Sequence, residues 1–346
     1  TIPHPSPRRS AVVDAARLRD LPKVELHVHL EGTITADTAV ELAIRNGLDP
    51  DRFPGMEGRR YPARFRDFEH FVELYVGVSA AVRTPDDLAT VAAGFARQQA
   101  LQNVRHSEAT FTATTHVNNG MEPVAMWEAL RAGFAEVPET EVTLIVDAVR
   151  NLGPENADQT IRLVADADAP IAALGLAGLE MSRPIEEFAH LRSAADALGI
   201  GLVVHAGETG PPEEVLRAVD LGADRIGHGV AAASDARVLE QVVRDGVVLE
   251  VCPTSNVVIG VVADHASHPF VSLWRAGAQV TVNSDDPPFF GTTLTDELAY
   301  AERAAELGVV GLATLQRRAA EAAFLTPARR EEILGEIDDW ATAATG

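Results

Sequence analysis

Eight short apolar or β-branched runs, each parted from the next by a longer stretch of helical periodicity, most constrain what this chain can fold into. The runs are Val24 to Leu30, Val104 to Phe111, Val142 to Val149, Ile171 to Gly178, Gly201 to His205, Arg225 to Val230, Val247 to Val251 and Gln279 to Asn283. Several are nearly continuously apolar, as strands covered on both faces are. Repeated strand and helix units build a parallel sheet. Pro85 to Ala100, Pro184 to Leu198, Glu213 to Leu221 and Ser234 to Asp245 read as helices, some opening on Pro or Ser and some ending near Gly. Eight such units close an α/β fold of the (β/α)8 TIM-barrel type, with extra helices inserted after the first strand and added at the C-terminus. A doubly wound open sheet normally carries a Gly-rich phosphate loop after its first strand, and Leu30-Glu31-Gly32-Thr33 is not one.

The 346 residues read as one barrel domain, 1–346, with an N-terminal extension over 1–20 and a helical insertion over 35–100 placed to act as a lid. Within the insertion, Phe65, Phe68, Phe71, Leu74 and Tyr75 form a helical apolar stripe, core by default but able to line a ligand pocket. Acidic residues number 51 against 29 basic, a net charge of −22, which repels phosphate backbones and anionic headgroups. Nucleic acid and membrane are therefore poor partners. The single cysteine, Cys252, can form no internal disulfide and no cysteine-rich zinc cluster; it reads as a packing residue, and any metal site must use His, Asp and Glu. The first twenty residues hold no apolar run of signal-peptide length, and no segment approaches about 18 uninterrupted apolar residues, so the protein is expected in the cytoplasm.

Histidines and acids crowd the C-terminal ends of the expected strands, the catalytic face of such a barrel. Strand alternation sends His27 and His29 to the same side, where both imidazoles can reach one ion. The fifth run ends at His205 with Glu208 close behind, the sixth carries His228, and the eighth leads into Asp285 and Asp286. Taken singly, each has an ordinary reading: an exposed histidine pair, a satisfied core histidine, a helix-capping acid. Together they offer three or four imidazole nitrogens and a carboxylate around one axis, a donor set for a zinc-type ion, which lowers the pKa of bound water to about 7.

The set His27-x-His29, His205-Ala-Gly-Glu208, Arg225-Ile-Gly-His228-Gly, Cys252-Pro-Thr-Ser-Asn256 and Ser284-Asp285-Asp286-Pro287 resembles the adenosine deaminase family of the amidohydrolase superfamily, from about Leu21 to Pro327. The resemblance implies one Zn2+ per chain held by His27, His29, His205 and Asp285, with Asp285 also orienting the attacking hydroxide. It implies Glu208 as the acid that protonates purine N1 and His228 as the residue acting on the nucleophile and the tetrahedral centre. For the substrate it implies contacts from His29, from Glu31 near a ribose, from the backbone of Gly178 at N3, and from Asp286, accepting a hydrogen bond at N7. The implied reaction is hydrolysis of a small-molecule 6-aminopurine nucleoside, adenosine to inosine and ammonia; the alternative is the same chemistry on aminodeoxyfutalosine or adenine.

Three positions bear on that choice. Many adenosine deaminases carry Asp where this chain has Glu31, a residue common among bacterial relatives that act on adenine or modified nucleosides. Adenine-specific relatives typically place Asp at the position of Gly227, and its absence favours room for a sugar. Arg183, in Glu180-Met181-Ser182-Arg183-Pro184, could face a carboxylate-bearing substituent such as that of aminodeoxyfutalosine. A non-catalytic, purine-binding relative is a reading of another class, but every position the chemistry needs is filled.

Overall fold

A computed structural model describes residues 13–53, 56 and 58–345; most of the 1–20 extension lies outside the described residues, as does part of the Phe53 to Arg64 stretch. Eight parallel strands stand in sequence order: β1 (Lys23–His29), β2 (Val104–Phe111), β3 (Glu141–Val149), β4 (Ile171–Ala177), β5 (Gly201–Ala206), β6 (Arg225–His228), β7 (Val248–Val251) and β8 (Gln279–Val282). The sheet closes where Val28 of β1 meets Asp285 just past β8, through His29 N to Asp285 O at 2.9 Å and Asp285 N to His27 O at 3.0 Å. The fold is a (β/α)8 TIM barrel, as the sequence pattern requires.

Local chemistry sets the element ends. Helices Pro85–Leu101, Pro123–Ala135, Pro154–Ala165 and Pro212–Asp220 all open on a proline, whose missing N–H costs nothing at the first helical position. At the start of the first of these, Thr84 and Asp87 form a reciprocal capping box. Two expectations are corrected. The run Arg225 to Val230 stops as a strand at His228, because His228 (φ 61°) and Gly229 (φ 68°) turn into the left-handed region. Pro184 to Leu198 breaks into a 3-10 turn, Ile185–Phe188, and a helix, His190–Leu198.

The 35–100 segment folds as helices Ala36–Arg45, Phe68–Ser79 and Pro85–Leu101 with a 3-10 turn at Pro50–Arg52. Helix Phe68–Ser79 lies over the C-terminal end of the barrel, where Phe71 packs on Phe289 and Phe290, and Tyr61 stacks on Phe289 at 4.1 Å between centroids. Phe289 and Phe290 are buried and cover the barrel end. At the opposite end, Phe324 packs with Ile145, Ala173 and Val203, and the Arg225 guanidinium sits 4.3 Å above its ring. On β1, Val24 and Leu26 face the C-terminal helices, packing on Ile333 and Ile337. His27 and His29 alternate the other way, into the barrel.

Candidate active site

The histidines and Asp285 meet because they leave four separate strands at the same barrel rim. His27 and His29 end β1, His205 ends β5 and His228 ends β6, while Asp285 follows β8. His29 Nε2 and His205 Nε2 lie 3.2 Å apart, and Asp285 Oδ1 is 3.6 Å from His27 Nε2 and 3.4 Å from His29 Nε2. His228 Nε2 faces Glu208 Oε1 at 3.5 Å and Asp285 Oδ2 at 3.9 Å. His228 and Asp285 both have φ above 60°, a conformation that costs on the order of 1–2 kcal/mol outside glycine. Such strain persists at sites where the surrounding structure over-determines it.

The donor set fits a divalent cation. Ring nitrogens of His27, His29 and His205 all lie within 4.8 Å of one another. His27 Nδ1 is taken by Glu250 Oε2 at 2.8 Å, while its Nε2 is buried with no hydrogen-bond partner and faces the cluster. Burial opposes charge on His27, yet Asp285 and Glu250 outweigh it and raise its pKa to about 10. One positive charge is thus favoured where the imidazoles converge. Cys252 also lies near His27, His228 and Asp285, but burial pushes its thiol well above the ordinary range, so it stays a neutral packing group.

Around this cluster the carboxyls divide. Burial, then Asp285 and Glu180, push Glu208 well above the usual carboxylate range, and burial with Asp285 does the same to Asp286. Burial also works against the charge of Asp285, but His27 and the neighbouring histidines hold it well below that range. Neighbouring acids therefore differ in protonation, the pattern expected of groups assigned opposite proton duties.

His29, Gly178, His205, Glu208, His228, Asp285 and Asp286 line one cavity of about 300 Å3, with Phe68, Val72, Tyr75 and Val76 from the inserted helix and Leu152 and Leu179 at its apolar side. Gly32 makes the approach of Asp286 possible, since a Cβ there would overlap its carboxylate. Glu31 stands outside the cavity wall: its Oε1 accepts from Thr112 N and His116 Nε2, each at 3.1 Å, and its Oε2 from Tyr75 OH at 3.4 Å. The space at Gly227 is also spoken for, because a Cβ there would come within 2.8 Å of the His27 ring and 3.2 Å of His205. Arg183 pairs with Glu187 at 3.0 Å and is absent from the cavity lining.

Sequence reasoning missed three acids. Glu250 orients His27. Glu180 takes the backbone N–H of Glu208 at 2.9 Å and that of Gly210, fixing the loop after β5. Asp147 lines the cavity with Oδ1 unpartnered, and burial, with the charge of Glu31, raises its pKa to about 7. A lone acid inside an apolar strand, as in Leu249-Glu250-Val251 or Val146-Asp147-Ala148, was the available signal, because a buried carboxylate demands a partner.

Comparison with known proteins agrees with this geometry. Residues 22–340 match the adenosine deaminase family. The chain is similar to an aminodeoxyfutalosine deaminase of Streptomyces avermitilis, 37% identical over 93% of this chain and 92% of that one. It is equally similar to an adenine deaminase of Rhodospirillum rubrum, 37% identical over 93% and 97%. Among solved structures, an amidohydrolase from Burkhoderia ambifaria with bound Zn superposes with a TM-score of 0.84 at 25% identity, over 96% of this chain and 94% of that one. With its barrel, its rim of histidines and a family match running nearly end to end, the chain belongs to the adenosine deaminase family of hydrolytic aminohydrolases.

Proposed function

We propose that the protein is a zinc-dependent deaminase of a 6-aminopurine carrying an extended N9 substituent, with aminodeoxyfutalosine as the substrate, adenine as the second reading and adenosine behind both. The observation that carries the chemistry is the meeting of Glu208, His228 and Asp285 at one end of a single cavity. His27, His29, His205 and Asp285 would hold the ion, nitrogen donors and a carboxylate suiting zinc better than magnesium or calcium. Bound there, zinc supplies Lewis-acid activation of water near neutral pH.

The chain's own groups handle the protons. Glu208, kept protonated by its surroundings, donates to purine N1 and makes C6 electrophilic. Asp285, held ionised, accepts and orients the proton of the attacking water. His228 stabilises the charge that develops at C6. Asp286 binds N7, with the direction of the bond reversed from the expected one: N7 of a neutral purine has only a lone pair, and Asp286 is itself protonated, so it donates. The Gly178 backbone serves N3, and ammonia leaves as a 6-oxopurine forms.

Two observations favour aminodeoxyfutalosine. The cavity exceeds a bare purine and runs outward along the apolar side chains of Phe68, Val72, Val76 and Leu152. One of the two relatives carries that name. The other relative favours adenine. Loss of the 6-aminopurine absorbance, followed for aminodeoxyfutalosine, adenine and adenosine with zinc-loaded enzyme, tests the order. The highest kcat/KM is expected for aminodeoxyfutalosine; a preference for adenosine, or no turnover of any, overturns the reading.

A further inference from the structure

Behind His228 runs a chain of hydrogen bonds whose direction is set at its far end. The backbone N–H of Phe270 points at His268 Nδ1, 3.1 Å away. A backbone amide only donates, so that ring nitrogen carries no proton. His268 is buried, and desolvation lowers its pKa to about 4, leaving a neutral ring with its one proton on Nε2. Nε2 lies 3.1 Å from Asn256 Oδ1. The amide therefore turns its oxygen to His268 and its NH2 to His228, with Nδ2 3.4 Å from His228 Nδ1. The backbone of Asn256 is pinned too, its N donating to Cys252 O at 3.1 Å and its O accepting from Val262 N at 2.8 Å.

From this relay we infer that Asn256 and His268 are positioning residues that hold His228 as its Nε2–H tautomer, so that it meets the reacting centre as a hydrogen-bond donor. The inference rests on the proposed function for what His228 acts upon, but the tautomer itself does not. With its Nδ1 lone pair engaged by Asn256, the ring has no free nitrogen to take a proton from the nucleophile. Its Nε2–H is aimed at the space bounded by Glu208 and Asp285, where negative charge develops. His228 then stabilises charge, and proton acceptance falls to the carboxylates. Neither Asn256 nor His268 lines the cavity; His268 borders a separate open groove with Ser267, Pro269 and Arg275. Their loss should therefore lower kcat while leaving KM nearly unchanged.

Nitrogen-15 NMR of histidine-labelled, zinc-loaded enzyme reads the tautomer directly, with His228→Gln to assign the signal. The wild type is expected to show His228 protonated at Nε2 alone. Asn256→Asp places an acceptor opposite Nδ1 and should move the proton there, with kcat falling about 10²-fold, as for loss of one preorganised donor. His268→Gln keeps an N–H for the Asn256 oxygen and should retain the wild-type pattern, whereas His268→Leu should give a mixture of tautomers. This second pair carries the same comparison if Asn256→Asp does not fold. A wild-type His228 protonated at Nδ1 or at both nitrogens, or a pattern indifferent to both Asn256→Asp and His268→Leu, overturns the inference. An Nε2–H signal in an enzyme that turns over no 6-aminopurine would support the tautomer assignment while removing the substrate reading.

Discussion

His27 Nδ1 lies 2.8 Å from Glu250 Oε2, and the other oxygen of Glu250 takes Arg225 Nε at 2.6 Å. Arg225 in turn reaches Glu108, which closes the set by accepting the N–H of Phe324 at the opposite mouth of the barrel. The imidazole proposed to bind metal is thus fixed through a line of fully buried charged groups that crosses the barrel interior. A carboxylate on the far nitrogen of a metal-binding histidine sets its tautomer and ring orientation.

Replacing Glu250 with Gln removes that acceptor charge while keeping its shape. Zinc affinity, measured by competition with a chelator, should fall about 10- to 100-fold. An unchanged affinity would mean that His27 is held by packing alone.

Glu208→Gln keeps the shape of the proposed acid and removes its proton. Zinc content and ligand binding should persist while kcat drops by at least about 10²-fold, the lower bound for a general acid. Turnover within about tenfold of wild type would assign the proton to another group.

Asp147 gives a pH signature in stability. Its pKa rises from an ordinary 3.8 to about 7 on folding, so the folded state holds the proton more tightly than the unfolded chain. The resulting stabilisation is present below pH 3.8 and is lost as pH rises toward about 7. Asp147→Asn, neutral at every pH, should match the wild type in acid and exceed it above pH 7 by on the order of a few kcal/mol, read from denaturant midpoints. Parallel curves across that window would contradict the assignment.

Gly32→Ala tests the close approach at the purine site. The added Cβ would overlap the Asp286 carboxylate and must displace it. We expect kcat/KM for the 6-aminopurine to fall about 10²-fold, the cost of displacing a positioning group by about 1 Å, with zinc content intact. Normal kinetics would show that Asp286 does not set substrate orientation.

Much of this molecule was legible in order along the chain. All eight strands lie where apolar runs occur, because a parallel strand buried on both faces has no polar alternation to disguise it. The end of the sixth strand was misread because the apolar run containing Ile226 and Val230 continues beyond the point where His228 and Gly229 turn left-handed, and hydropathy does not report φ. The ligand candidates were legible because histidines placed at strand ends on one barrel rim converge by topology alone.

What the tertiary structure decided is which neighbours each polar group met. In sequence, Glu31 reads as a substrate contact and Gly227 as space for a sugar; folded, the first is held by Thr112, His116 and Tyr75, and the second makes room for the rings of His27 and His205. The partners of Glu250, Glu180 and Asp147, and the Asn256–His268 relay, emerge only when the folded barrel brings these side chains within reach of one another. Strand order follows from local pattern, which each segment carries by itself. The protonation and orientation of a buried side chain follow from desolvation and from partners on other elements of the fold, and these exist only once the barrel has closed.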